Sequence, residues 1–298
     1  MFAALLSLPL WGQTSQTTGT LAGAGYRNAS PVIEAAPGQV LIVSLYGAKA
    51  RLTEPVYGKP VPPNLLATTV GGFSAQLVQS QTRTSVGIYG VTQSGCPGSA
   101  IPCQPVTNIT LQVPFQLLTS LASNSYAGLE FKEGDTVLMQ FPILPVSDKV
   151  HVINSCDESL IYYSVFGSED ACTSAVVRPR GGLITPRNPV HPGEPLVAFA
   201  YGMGDATPSP VSVPFQAGLT KQPFILRYAG AGGPAYWAQA PDGVSLTTSN
   251  GTYEIHFTVP PLPDSPLPPC GQGGIYGNMK VSVSGTHSSD TFDLCVTP

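Results

Sequence analysis

The chain has 298 residues and a formal net charge of −4, with 42% hydrophobic and only 10% charged residues. That length suits two sandwich domains of roughly 100 residues each, and the apolar content is enough to build cores, which excludes wholesale disorder. Cations are few and form no stripe, so phosphate neutralisation has no footing and nucleic acid is excluded as a partner.

Residues 1–13 (MFAALLSLPLWGQ) form a short apolar run. A membrane span needs about 20 such residues, so no membrane span is expected, and the run reads as the core of a signal peptide cleaved after Gly12. Residues 1–25 are therefore assigned as signal peptide or N-terminal tail. From there apolar and polar residues alternate in short runs closed by Gly, Pro or Asn. The predicted strands are 40–46 (VLIVSLY), 68–70, 75–78, 85–91, 109–115, 129–132, 136–141 and 149–153. Glu133-Gly134-Asp135 between two of them is a hairpin signal, with glycine free to take positive φ. The only helix candidate is 114–123. Glycine (32) and proline (31) each supply about a tenth of the chain, and proline at that density opposes long helices.

The second half repeats the plan, with predicted strands at 196–201, 224–228, 236–239, 253–259, 279–284 and 291–296. Residues 196–201 follow Pro192-Gly193 as 40–46 follow Pro37-Gly38, and Val113-Pro114 aligns with Val259-Pro260. A period this long means domain duplication rather than a solenoid. The expected fold is all-β, two tandem immunoglobulin-like β-sandwich domains: 26–155, then 156–298 with a disulfide-looped linker at its start.

The six cysteines fall as neighbours: Cys96 with Cys103, Cys156 with Cys172, Cys270 with Cys295. Six cysteines permit 15 connectivities, but local pairing closes one loop in each region of the chain. Zinc favours tight Cys-x₂₋₄-Cys pairs, which are absent, so disulfides are expected and with them an oxidising compartment.

The search for catalytic chemistry returns no catalytic residue, no metal ligand and no cofactor site. Gly-x-Ser-x-Gly does not occur. His151 and His256 sit on predicted strands as ordinary sheet positions, while His191 and His287 sit in turns. The carboxylate pairs open to glycosidase chemistry are Glu130 with Glu133, Asp157 with Glu158, and Asp290 with Asp293. Each reads as solvated turn charge. Tyr162, Tyr163, Tyr236 and Trp237 are the aromatics open to stacking on a sugar ring. Asn28, Asn108 and Asn250 each begin an Asn-x-Ser/Thr triplet.

Residues 36–47 (APGQVLIVSLYG), 108–115 (NITLQVPF), 147–157 (SDKVHVINSCD) and 181–204, together with the positions of Cys156, Cys172, Cys270 and Cys295, carry a resemblance. They are similar to an uncharacterised C-terminal domain family of secreted proteins from Solibacter-like acidobacteria, which looks like tandem immunoglobulin-like domains of the IPT/TIG kind. The resemblance implies an extracellular address and a non-catalytic role, and it implies no functional residues. The family's usual place is as an appendage on a longer protein, whereas here the module is expected to be the whole product.

The resulting expectation is a non-enzymatic, secreted, extracellular structural protein of the cell surface. It would associate with copies of itself as a filament or surface-layer subunit, with strand addition by the N-terminal tail as the sharper form. The alternative is a binding module for polysaccharide (glycans) or another surface protein, to be marked by a row of exposed aromatics on one sheet face.

Overall fold

The computed structural model describes residues 18–23, 33–59, 66–95, 105–119, 127–157, 172–204, 206–208, 218–220, 225–230, 235–246, 251–262, 267–270 and 277–298. The first half contributes β1 (Thr18–Gly23), β2 (Ile33–Ala35), β3 (Val40–Tyr46), β4 (Val56–Tyr57), β5 (Thr69–Val70), β6 (Phe73–Gln79), β7 (Thr82–Ser85), β8 (Gly87–Ser94), β9 (Val106–Gln112), β10 (Ala127–Glu133) and β11 (Thr136–Pro145). The second contributes β12 (His151–Val152), β13 (Val176–Val177), β14 (Pro195–Tyr201), β15 (Ala206–Pro208), β16 (Gly218–Thr220), β17 (Ile225–Gly230), β18 (Ala235–Gln239), β19 (Gly243–Leu246), β20 (Tyr253–Thr258), β21 (Met279–Ser284) and β22 (Ser289–Leu294). No helix occurs among the described residues. The expected helix at 114–123 begins instead as a turn, Leu117 N–H donating to the Pro114 carbonyl at 3.1 Å; residues 120–126 lie outside the described residues.

The fold is all-β, built as two sandwiches in tandem. Sheet I has the order β1–β3–β9–β8–β4, and sheet II the order β2–β11–β10–β6–β5 with β7 beside β6. Sheet III runs β12–β14–β20–β19–β16–β15 with β13 beside β14, and sheet IV runs β18–β17–β21–β22. In each half the strands cross between two sheets as immunoglobulin-like topology requires. Sheet membership changes between Pro145 and His151, because β12 pairs with β14 rather than with anything in the first half. That is a few residues before the division expected at 155/156.

The duplicated sequence folds into a duplicated turn. Gly38 N–H donates to the Val113 carbonyl (3.0 Å) and Val113 N–H to Gln39 (2.8 Å). In the second half Gly193 N–H donates to Val259 (2.9 Å) and Val259 N–H to Glu194 (3.0 Å). Even the side-chain closure is copied: Gln39 Oε1 accepts from Ala36 N–H, and Glu194 Oε1 from His191 N–H. Both glycines sit at positive φ, 73° and 83°, where a Cβ would be strained.

Why residues 40–46 and 195–201 are apolar almost without alternation is answered by packing. Leu41, Val43 and Leu45 point into the core between sheets I and II; Leu196, Ala198 and Ala200 point into the core between sheets III and IV. The alternate residues Val40, Ile42, Phe199 and Tyr201 meet, with Leu66, Tyr89, Ile153, Ala175 and Leu183, in a third apolar cluster. The outer faces of sheets I and III are thus packed together, and β3 and β14 are covered on both sides. A fully buried large side chain contributes on the order of 1.5–3 kcal/mol, so this third cluster makes the junction of the halves an apolar interface. Polar contacts seal its rim. The Tyr253 hydroxyl donates to the carbonyls of Gly204 in its own half and Pro37 in the other, and Gln112 Nε2 donates to the carbonyls of Gly38 and Gly251.

Among the described residues two disulfides are present, Cys156–Cys172 and Cys270–Cys295, with Cα atoms 5.0 and 5.7 Å apart. Cys96 and Cys103 lie outside the described residues. The first bridge joins segments 153–156 and 172–177, which also exchange Ala175 N–H to Ile153 O (2.7 Å) and Ser155 N–H to Thr173 O (2.9 Å).

Candidate functional site

Among the described residues, a group of ionisable side chains gathers where residues 147–157 lie across the β21–β22 hairpin. His151 is 7% exposed and stands between two carboxylates, one six residues along its own segment and one 139 positions away. Its Nε2 lies 2.9 Å from Asp157 Oδ2 and its Nδ1 3.1 Å from Asp290 Oδ2. Asp157 also accepts Asn154 N–H (2.9 Å), and Asp290 accepts Val152 N–H (2.8 Å). Burial disfavours a charged imidazole, but the hydrogen bonds to Asp157 and Asp290 outweigh it and raise the His151 pKa to about 9. Asp290 moves the opposite way: burial is overcome by the bond from His151, and its carboxyl is held below the usual range. The Tyr201 ring lies stacked on the imidazole with centroids 6.5 Å apart.

Asp148, fully buried, completes the strap. Its carboxylate accepts the backbone N–H groups of Thr286 (3.0 Å), His287 (2.9 Å) and Ser288 (2.8 Å), plus the hydroxyls of Ser147 and Ser288. Burial opposes its charge, yet these donors hold the pKa low. Val150 N–H donates to Ser288 Oγ at 2.7 Å. Every polar group in the cluster is thereby committed to another protein group. An imidazolium with both N–H groups engaged cannot take a proton from a substrate, and Ser288 Oγ is spent on Asp148. The cluster fastens an edge: it covers β22, which would otherwise end sheet IV with open backbone groups.

The other sequence candidates are dispersed. Asp157 and Asp290, each placed in a different sequence pair, meet at His151 instead of with Glu158 or Asp293. They are not solvated turn charges, and His151 is not an ordinary sheet position. Glu130 departs from the expectation too: it is 7% exposed in the middle of β10, where Arg83 (2.7 Å) and Lys132 (3.3 Å) bind one of its oxygens. Glu133 accepts the N–H groups of Lys49 and Ala50. Asp293 pairs with Lys280 at 2.9 Å on the surface, and Glu158 lies outside the described residues. His256 contacts Glu254 two residues before it (3.1 Å), His287 faces Glu34 (3.4 Å), and His191 Nδ1 lies against the carbonyls of Thr297 and Pro298. Asp148 is the residue that sequence reasoning missed, since its partners lie 138–140 positions away.

The aromatics split. Tyr162 and Tyr163 lie outside the described residues, as do Asn28 and Asn250. Trp237, 44% exposed, is registered opposite the buried Tyr228, so it shares the core-facing side of sheet IV at its edge, and its Nε1 donates to Gln239 (3.1 Å). Two further exposed rings, Tyr46 (38%) and Tyr57 (55%), were not singled out by sequence. Their register, opposite Val106 and Gly90, puts both on the outer face of sheet I, beyond the part that sheet III covers.

Edge strands differ in protection. β18 (AYWAQ) and β1 (TGTLAG) carry no charge and no proline, the two devices that usually blunt an edge. β1 pairs with β3 over six residues, from Thr18 opposite Tyr46 to Gly23 opposite Leu41. The tail strand is therefore bonded to its own chain, on one flank only.

No family model and no curated protein matches the chain. Among solved structures it is similar to the C-terminal domain of the AgI/II polypeptide BspA of Streptococcus agalactiae, at 8% identity and TM-score 0.19, over 93% of this chain and 98% of that one. A mutant of the same BspA domain matches at 8% identity and TM-score 0.19, over 93% and 96%. At these scores the fold rests on the chain's own strand pairings and no function is carried across.

Proposed function

We propose that the protein is a non-enzymatic module of the cell exterior that associates with copies of itself by exchanging β1 between neighbours. The observation that carries this is the pairing of β1: an uncharged, proline-free strand bonded only to β3, which is apolar on both faces. A strand held by one flank can be supplied by a second copy with the same register and the same hydrogen bonds, which is strand addition between subunits. Two disulfides support the extracellular address, since such bonds persist in oxidising compartments. Among the described residues no helix is long and apolar enough to cross a membrane. The non-catalytic reading is supported by the closed bonding of the His151 cluster. The test is deletion of residues 13–25: assembly seen by electron microscopy for the full chain and lost in the truncated one supports strand exchange, and assembly retained overturns it.

A further inference from the structure

Where β9 ends, the first sandwich opens into a cleft of about 310 Å³. One side is apolar, formed by Leu66, Val113, Pro114 and Phe115; the other carries Thr68, Ser85 and Gln116, while Thr84, opposite the core residue Leu77 in the β6–β7 ladder, turns its side chain the other way. Thr68 is half-buried, and Ser85 and Gln116 are exposed. Gln112 also faces the cleft, but its Nε2 is committed to the carbonyls of Gly38 and Gly251, which leaves its Oε1 to accept. The Phe115 ring is fixed edge-on against Tyr253, centroids 6.2 Å apart. Among the described residues no ionisable side chain lines the cleft.

We propose that this cleft binds one ring of a neutral sugar within an uncharged polysaccharide. The volume lies at the small end of ligand pockets, room for a single ring rather than an extended ligand. A carboxylate, phosphate or ammonium would lose its hydration here and find no counter-charge, which is costly. A neutral pyranose meets neither problem. Its C–H face suits the wall of Leu66, Pro114 and Phe115, and its hydroxyls both donate and accept, as do the hydroxyls of Thr68 and Ser85 and the Gln116 amide. Pre-formed walls keep the ordering cost of binding low. The same contacts that join the two halves, Gln112 to Gly251 and Phe115 to Tyr253, hold one wall of the site. The cleft lies away from β1, so this inference is independent of strand exchange.

The experiment titrates the full chain with cellohexaose, laminarihexaose and maltohexaose, with hexagalacturonate as the charged control, by calorimetry and amide NMR. At least one neutral hexasaccharide should bind, with shifts centred on residues 84–87 and 112–116, and hexagalacturonate should not. Replacing Gln116→Ala together with Thr68→Val should weaken that binding at least tenfold. Ser85→Trp, which fills the cleft, should abolish it. Gln116 is exposed and Gln116→Ala alone, expected to weaken binding several-fold, serves if another variant fails to fold. Silence of all three neutral hexasaccharides at millimolar concentration overturns the proposal, as does binding that ignores the variants or shifts centred elsewhere. Assembly measured on the same variants should be unchanged, so failure of this site and failure of strand exchange read out separately.

Discussion

The charge on His151 can be removed by pH alone, and the structure fixes the direction of the effect. Its pKa is raised from 6.5 to about 9 by Asp157 and Asp290. A group whose pKa rises on folding contributes its full stability below 6.5 and loses it as pH climbs through 9. At about 1.4 kcal/mol per pKa unit, the second sandwich should lose on the order of 3 kcal/mol across that window. Asp290, whose pKa is depressed, works in the other direction: its contribution is present above the ordinary carboxylate range and disappears as pH falls through the lowered value. These groups together place maximal stability between roughly pH 4 and 6.5. His151→Gln should cost several kcal/mol at pH 6, on the order of the 3–5 seen when one partner of a buried pair is removed, and should erase the slope between pH 6.5 and 9. Urea unfolding followed by Trp237 fluorescence at a series of pH values measures both, and NMR of the imidazole reads the titration itself. A wild-type stability that stays level from pH 6 to 9.5, or an equal slope in His151→Gln, would refute the reasoning.

Three more outcomes follow from the same geometry. Gly38→Ala and Gly193→Ala replace equivalent glycines, but a Cβ at Gly38 would come within 2.5 Å of the Tyr253 hydroxyl and 2.7 Å of Phe115, while at Gly193 nothing lies within 4 Å. Gly193→Ala should cost only the positive-φ strain of about 1–2 kcal/mol and Gly38→Ala clearly more, read as the difference in Tm. Removing the Cys156–Cys172 bridge by Cys→Ser at both positions should destabilise by about 3 kcal/mol for a loop of this size, measured by urea unfolding. Ser80 sits at φ 54° between β6 and β7, so Ser80→Gly should stabilise by about 0.5–1 kcal/mol, seen as a Tm raised by a few degrees.

Much of this fold was legible because strand and turn signals are local. Residues 40–46 and 253–258 were visible from β-branched content and flanking glycine or proline, and the Pro-Gly turns of the two halves announced the duplication that the matched hydrogen bonds display. The run VLIVSLY held a further clue in its lack of alternation, since a strand apolar at both parities is covered on both faces. What local pattern cannot encode is convergence. His151 and Asp290 are separated by 139 positions, and nothing around either one announces the other. Asp148 looks like an ordinary turn aspartate until the β21–β22 loop presents three N–H groups to it. Residues 151–152 alternate equally well for either half, so their membership in sheet III is decided only by pairing with β14. The cleft escapes for the same reason, since its lining comes from three separate stretches of chain.

Strand exchange is tested most directly by where a disulfide forms. Thr20 and Ser44 are opposite one another in the β1–β3 pairing, so cysteines at both positions report which chain supplies the strand. Oxidising assembled Thr20→Cys/Ser44→Cys protein and running it without reductant under denaturing conditions should give covalent dimers and longer ladders. A single band at the monomer mass, from protein that electron microscopy shows to be assembled, would mean that β1 stays with its own chain and that copies associate by another surface.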